Sequence, residues 1–325
     1  MSSPSELEST IADAIFSGRE SKISLNELAG VARASPARIR ETIRRLKRLG
    51  YSLRLSQAGV IERLPFSAID PQRLSTDLTT ERIGRRIECR LHVRSTQDEL
   101  KRLRDDAQDG AVLIAETQYA GRGRLTRSWF SAVGGIWMSV FLRPTWPRSH
   151  QILTLAFAAA AARAISDVTK LSPVLKWPND LMIQSRKVAG LLAEATFQGN
   201  KLDHLIIGLG VNANIEMTRL PKALRELSTS LSHELGQEID RIMLVRRIIE
   251  EMDRSYRGFE LGHANELLEE VKRLCSTLGK IVQVTTAEGV FRGEAVDLGR
   301  DGQLLVRKPD GTATPYYAAD VVHLR

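Results

Sequence analysis

The sequence predicts an α+β chain in three parts: a helical N-terminal module closed by a β-hairpin, a central mixed sheet, and a small C-terminal β-barrel. Three observations carry this. Helix caps and apolar stripes at helical spacing fill residues 7–50. From CRLHV (starting at Cys89) to LIIGLGVN (ending at Asn212), strand-like runs follow one another without regular intervening helices. Beyond Lys280 come short β-rich runs punctuated by glycine. At 325 residues the chain is long for one ordinary domain. The predicted boundaries are 1–66 for a winged helix-turn-helix, 67–82 for a linker, 83–277 for the central domain and 278–325 for the barrel.

Leu7, Ile11, Ala14 and Ile15 repeat as one helical stripe. Ser24 and Glu27 form a capping box that opens a short second helix with Leu25 and Leu28 inward. Ser35 followed by Pro36 opens a third helix that ends at Gly50. Its stripe of Ile39, Ile43 and Leu46 packs inward, leaving Glu41, Arg44, Arg45 and Arg48 on the other side. YSLRLS (51–56) and VIERL (60–64) alternate as a two-stranded wing around Gln57-Ala58-Gly59. In a winged helix-turn-helix, Ala37, Arg38, Glu41, Arg44 and Arg45 are the candidates to meet DNA. Pro65, Pro71 and the polar run Ser75 to Thr80 mark the linker. Further on, helices are expected over Ile152 to Ser166, over Met243 to Phe259 behind an Asp240 cap, and over Ala264 to Ser276. The barrel strands are IVQVTT, GVFRGEAVD, QLLVRK, TPYY and VVHL.

Lysine and arginine number 47 against 39 acids, a formal charge of +8 that suits nucleic acid or ATP and selects neither. The two cysteines, Cys89 and Cys275, stand far apart without metal-ligand companions, so a disulfide framework or structural zinc is not expected. The apolar run Leu153 to Ala162 stops at Arg163, too short to span a bilayer, and MSSPSELEST has no signal-peptide pattern. A soluble cytoplasmic chain with no membrane partner is expected.

Ala120 to Ser131, AGRGRLTRSWFS, holds two glycines and three arginines and no acid. It lacks the third glycine of a dinucleotide fingerprint, and no GxxxxGK[ST] occurs in the chain. Glycine lets the backbone close over a ligand, and guanidinium groups match carboxylate and phosphate oxygens. Downstream stand Lys176, Asn179 and Asp180 in VLKWPNDLMI, then Lys187-Val-Ala-Gly190, then Gly208-Leu-Gly210-Val-Asn212. Alone, each reads as well as a β-turn or tight packing glycine as it does as part of a site.

Together, GRGRLTRSWFS, KWPNDL, KVAGLL and GLGVN resemble the biotin protein ligases, in particular the two-function type that is also the biotin operon repressor. The likeness runs from Ser95 to the C-terminus, and the winged module matches in pattern. It implies a biotin/lipoate ligase-like central sheet, an SH3-like C-terminal barrel and a two-step reaction. Biotin and Mg-ATP give biotinyl-5'-AMP and pyrophosphate, and a lysine of a biotin carboxyl carrier domain then attacks the mixed anhydride. Attack of one anion on another calls for positioned cations more than for a protein nucleophile.

By the same resemblance the catalytic set is Arg124, Lys176 and Lys187. Arg122 and Arg124 meet the biotin carboxylate and adenylate phosphate, and Arg127 the ATP phosphates. Lys187 holds the biotin carboxyl or acyl-phosphate oxygen, and Lys176 the transferred phosphate. Asn179, Asp180 and Asn212 belong to the nucleotide site, Asp180 through Mg2+. The Ser95-Thr96-Gln97 turn and Gln118 serve the ureido ring. Gly121 and Gly123 shape the loop, Gly208 and Gly210 admit the ligand to the backbone, Trp129 anchors the loop beside ATP, and Tyr316 stacks near adenine. Operator DNA is the implied second partner, bound by a homodimer that the adenylate promotes.

Two positions depart from the family pattern: Gln97 stands where asparagine is usual, and Thr126 where glycine is usual. Two other readings are a biotin-sensing repressor without ligase activity and a lipoate or octanoate transferase of related fold. The retained cations oppose the first, and the GRGR, KWPND and KVAG set opposes the second.

Overall fold

Local chemistry at the helix starts sets the N-terminal module. In the computed structural model, Glu27 N–H donates to the Ser24 side chain while the Glu27 carboxylate accepts from Ser24 N–H at 2.7 Å. The structure describes residues 4–16, 21–64, 68–125, 127–145, 150–199, 201–286, 289–317 and 319–324. Pro65 and Thr126 lie outside them.

The module comprises α1 (Pro4–Phe16), β1 (Lys22–Ser24), α2 (Leu25–Ala32), α3 (Pro36–Arg48), β2 (Leu53–Leu55) and β3 (Val60–Arg63). Ile39, Ile43 and Leu46 face inward as expected, and the helices share their own core. The expected two-stranded wing is a three-stranded antiparallel sheet in the order β1-β3-β2. At three residues β1 is too short to show alternation, and only its pairing with β3 makes it a strand. Gly50 ends α3 as expected, following its Leu49 cap with φ of +101°.

The expected linker is, in its described part, a packed element. Asp70 caps α4 (Pro71–Ser75), Ile69 and Leu74 are buried, and the N–H groups of Glu81, Arg82 and Ile83 all donate to Asp253. Ile69 N–H donates to Glu116 at 2.6 Å, and Arg241 bonds the same buried carboxylate at 2.9 Å. Polar composition suggested a tether; carboxylates from remote segments satisfy its backbone instead.

The central sheet holds β4 (Ile87–Val93), β5 (Ala111–Gln118), β6 (Ile136–Leu142), β7 (Val174–Lys176), β8 (Asp180–Ile183), β9 (Arg186–Gln198) and β10 (Lys201–Val211). The order is β4-β5-β6-β10-β9-β8-β7, with β4 and β5 the one parallel pair, so the sheet is mixed as expected. Around it lie α5 (Thr96–Arg102), α6 (His150–Thr169), α7 (Lys222–Arg225), α8 (Leu231–Leu235), α9 (Arg241–Glu260) and α10 (Ala264–Leu274). Helix α10 stops short of Ser276, whose N–H bonds Leu175 O at 2.8 Å.

Helix α6 bears out the helix expected over Ile152 to Ser166 and is longer than the apolar run that stops at Arg163, because Glu251, at 2.6 Å, and Glu270 neutralise that guanidinium within it. Its length and hydropathy suffice to cross a membrane, but most of it is buried inside the fold.

The C-terminal strands are β11 (Ile281–Thr286), β12 (Gly289–Leu298), β13 (Leu304–Arg307), β14 (Ala313–Tyr316) and β15 (Asp320–His323). They form one antiparallel sheet in the order β14-β13-β12-β11-β15. Among the described residues β14 and β15 do not pair, so the sheet is open, where the sequence predicted a barrel. Runs of four edge residues announce strands but not the pairing that would close them. Val282, Val284 and Ala295 join the core of the central domain.

A buried polar cluster seats the N-terminal module on the sheet edge. Tyr51 OH donates to Leu91 O and bonds Thr117 Oγ1 at 2.9 Å. The His92 ring lies between Thr117 Oγ1, at 2.6 Å, and Glu8 at 3.3 Å.

Candidate active site

The cavity is built on a pair of glycines. Gly190 on β9 and Gly210 on β10 stand directly opposite one another in register. Trp129 lies across both: a Cβ added at Gly210 would come within 2.7 Å of its indole, and one at Gly190 within 3.0 Å. A Cβ at Gly208 would meet Gln97 at 2.9 Å. The close approach that these glycines permit is therefore made by protein side chains, Trp129 and Gln97. The Trp129 Nε1–H is buried without an acceptor among the described residues.

The glycine loop is stitched by backbone bonds: Gly123 N–H to Arg127 O at 2.7 Å, and Trp129 N–H to Gly121 O at 2.8 Å. A Cβ at Gly121 would lie 2.6 Å from Trp129 O, so only glycine fits that crossing. Arg124 donates to Ala319 O at 3.2 Å and reaches Asn179 Oδ1 at 3.5 Å. Burial holds the Arg124 guanidinium below its ordinary pKa, against the opposing pull of Asp320 and Asp180. Arg127 pairs with Asp320, brought from β15.

The second wall is the KWPND turn between β7 and β8, where Lys176 and Asp180 are register partners and the Trp177–Pro178 peptide is cis. Trp177 is buried, its indole N–H donating to Gly302 O at 2.9 Å. Asn179 Nδ2 donates to Leu191 O at 2.6 Å, pinning the turn to β9. Opposite it, the β8–β9 ladder slips at Val188. Such a bulge re-aims its neighbours, and Lys187 Nζ lies 2.6 Å from Asp180 and 4.7 Å over the Trp129 ring. Asn212 Nδ2 donates to Thr229 O at 2.9 Å.

Behind the turn, Thr277 Oγ1 accepts from Trp177 N–H at 3.0 Å and faces His323 Nε2 at 3.1 Å. Burial, then the charges of Lys280 and Lys176, hold His323 down at about 4 against an ordinary 6.5. A depressed folded pKa means that the stability contribution is whole above pH 6.5 and is lost as pH falls through 4. Thermal melting across that window should show a falling midpoint, and His323→Gln should flatten the fall.

Of the residues predicted for the site, Thr96, Gln97, Gln118, Arg122, Gly123, Arg124, Arg127, Trp129, Lys176, Asn179, Asp180, Lys187, Gly208, Gly210 and Asn212 line one cavity of about 390 Å³. Ser95, Gly121 and Tyr316 do not. Ser95 is buried, and the expected 95–97 turn is the start of α5. Tyr316 packs on Phe291 with ring centroids 5.9 Å apart. Sequence reasoning missed Ser128, Met138, Leu220, Leu224, Ser228 and Asp320, which also line the cavity. Leu227 to Thr229 is held beside Lys187 by two backbone bonds of 2.9 Å, a contact with no local signal.

On α3, Ala37, Glu41 and Arg44 are exposed and Arg38 is half-buried. Arg45 Nε lies 2.7 Å from the buried carboxylate of Glu8, so part of its charge is turned into the fold.

Two family models match the chain: the biotin/lipoate A/B protein ligase family over residues 89–212, and the biotin protein ligase C terminal domain over 277–324. The bifunctional ligase/repressor BirA of Bacillus spizizenii is 32% identical over 75% of this chain and 76% of its own length. The chain belongs to the biotin protein ligase family. BirA of Salmonella typhimurium, also titled bifunctional ligase/repressor, is 26% identical over 98% of this chain and 96% of its own, a match that takes in the N-terminal module. Among solved structures, a biotin protein ligase from Aquifex aeolicus in complex with biotin and ATP superimposes with a TM-score of 0.67. It is 27% identical, covering 74% of this ligase and all (100%) of that chain.

Proposed function

We propose that this chain activates biotin with ATP to biotinyl-5'-AMP, transfers biotin to a lysine of a biotin carboxyl carrier protein, and acts as a repressor. The observation that carries the ligase reading is the meeting of Arg124, Lys176, Asn179, Asp180 and Lys187, from three separate segments, on one cavity.

The chemistry follows from the charges. The carboxylate and the α-phosphate repel, so Lys187 and Arg124 hold the acid while Lys176 takes charge that accumulates on phosphate oxygens. Thr96 and Gln118 offer the ureido ring its polar partners, already bonded to each other at 2.8 Å through Thr96 N–H. Asp180 and Asp320 are the acids among the described lining residues. Magnesium keeps several waters and takes one or two carboxylates beside phosphate oxygens, a role that Asp180 fits. When bound, the ion neutralises phosphate charge. Asn179 and Asn212 complete the nucleotide side, with Arg127 toward the phosphates.

Residues 1–66 serve as a winged helix-turn-helix, with Ala37, Arg38, Glu41 and Arg44 toward DNA. Residues 83–277 are the catalytic domain and 278–325 an SH3-like domain. Operator binding is by a homodimer that the adenylate promotes. Both described cysteines are free thiols, which supports a cytoplasmic location. Incubation with biotin, ATP and a carrier domain should raise the carrier's mass by one biotinyl group, and omission of either ligand should abolish the gain. An unmodified carrier contradicts the ligase reading.

A further inference from the structure

Arg122 meets two carboxylates from separate elements, Glu194 on β9 and Asp98 on α5, the latter at 3.1 Å. Both contacts use Nη2. The Nε of the same guanidinium is buried and has no hydrogen-bond partner among the described residues, and Arg122 lines the cavity while Glu194 and Asp98 do not. Buried donors are nearly always bonded, so an orphaned N–H at a cavity wall points to an acceptor on a ligand.

The acids belong to a rigid frame. Gln97, which lines the cavity from the start of α5, donates to Leu192 O on β9 at 3.1 Å. Glu194 is two residues further along that strand, on the same face. Lys101 Nζ reaches Glu194 at 3.0 Å, and Arg94 Nε reaches Asp98 at 2.9 Å. Three cations around two acids leave the cluster net positive, so the acids fix Arg122 without turning the wall against an incoming anion.

We infer that Glu194 and Asp98 are positioning residues for the reaction: they hold the Arg122 guanidinium so that its Nε–H is presented to the carboxylate of the bound acid. This rests on the reading of Arg122 as a carboxylate partner. Two acids from different elements select one rotamer of a long side chain, and the donor is in place before the ligand arrives.

The test is titration calorimetry of the full chain with biotin and with biotinol, the uncharged alcohol of the same skeleton. The wild type should prefer biotin, and Arg122→Gln should lose that preference. Glu194→Gln and Asp98→Asn should each weaken biotin binding about ten-fold, the worth of one charge-assisted hydrogen bond, with biotinol binding unchanged. A merely structural role would weaken both ligands alike and overturn the inference. If both acid variants keep the preference that Arg122→Gln loses, the positioning role is wrong and the reading of Arg122 stands. If Arg122→Gln keeps it, both fall. The two acid variants break different contacts, so either one that folds suffices.

Discussion

Lys187→Ala is expected to slow adenylate formation by about 10²–10³-fold, the usual loss when one preorganised donor is removed from developing charge. Lys187 owes its aim to the bulge at Val188, which turns it toward Asp180 and over the Trp129 ring. Alanine removes that charge and also leaves Asp180 facing the cavity without its counter-ion. The backbone at 187 is tied to Leu227 and Thr229 through main-chain groups alone, so the fold is retained. Lys187→Arg should recover only part of the rate, because a planar fork does not reproduce a compact ammonium. Single-turnover quench-flow with saturating biotin and ATP measures the rate directly. A near wild-type rate in Lys187→Ala would remove this residue from the chemistry.

Arg241→Ala should destabilise the chain by about 3–5 kcal/mol, the cost of breaking one partner out of a buried ion pair. Glu116 is 3% exposed and Arg241 8%, and the carboxylate also accepts from Ile69 N–H. Arg241 donates further to Gly135 O at 2.9 Å. The variant therefore strands a charge that joins the 67–82 segment, the sheet and α9. Urea unfolding should show the loss as a lower midpoint, whereas Arg44→Ala, whose pair with Glu41 on α3 is exposed on both sides, should cost less.

Features written in neighbouring residues were legible before the structure. Ser24 with Glu27, Ser35 with Pro36, and Asp240 each cap the helix that they announce, because a cap bonds N–H groups two or three positions ahead. The residues of GRGR, KWPND, KVAG and GLGVN converge for a reason the spacing did not contain. Register sets Gly190 opposite Gly210 and lets Trp129 lie over both. The family resemblance implied that Gly210 admits a ligand to the backbone, and Trp129 takes that space instead. Features that depend on distant partners were illegible. Asp320 reaches Arg127 across 193 positions, and Glu116 reaches Arg241 across 125. The strand Lys22–Ser24 exists only through β3, and the packed 67–82 segment only through Asp253 and Glu116.

The central claim is that cations gathered at one cavity join a carboxylate to a nucleotide. It is tested most directly by isotope exchange between labelled pyrophosphate and ATP. Exchange that appears with biotin, vanishes without it and is not supported by lipoate or octanoate is the predicted result. No exchange at saturating biotin, from protein that still binds it, would contradict the account and leave a sensor in place of a ligase.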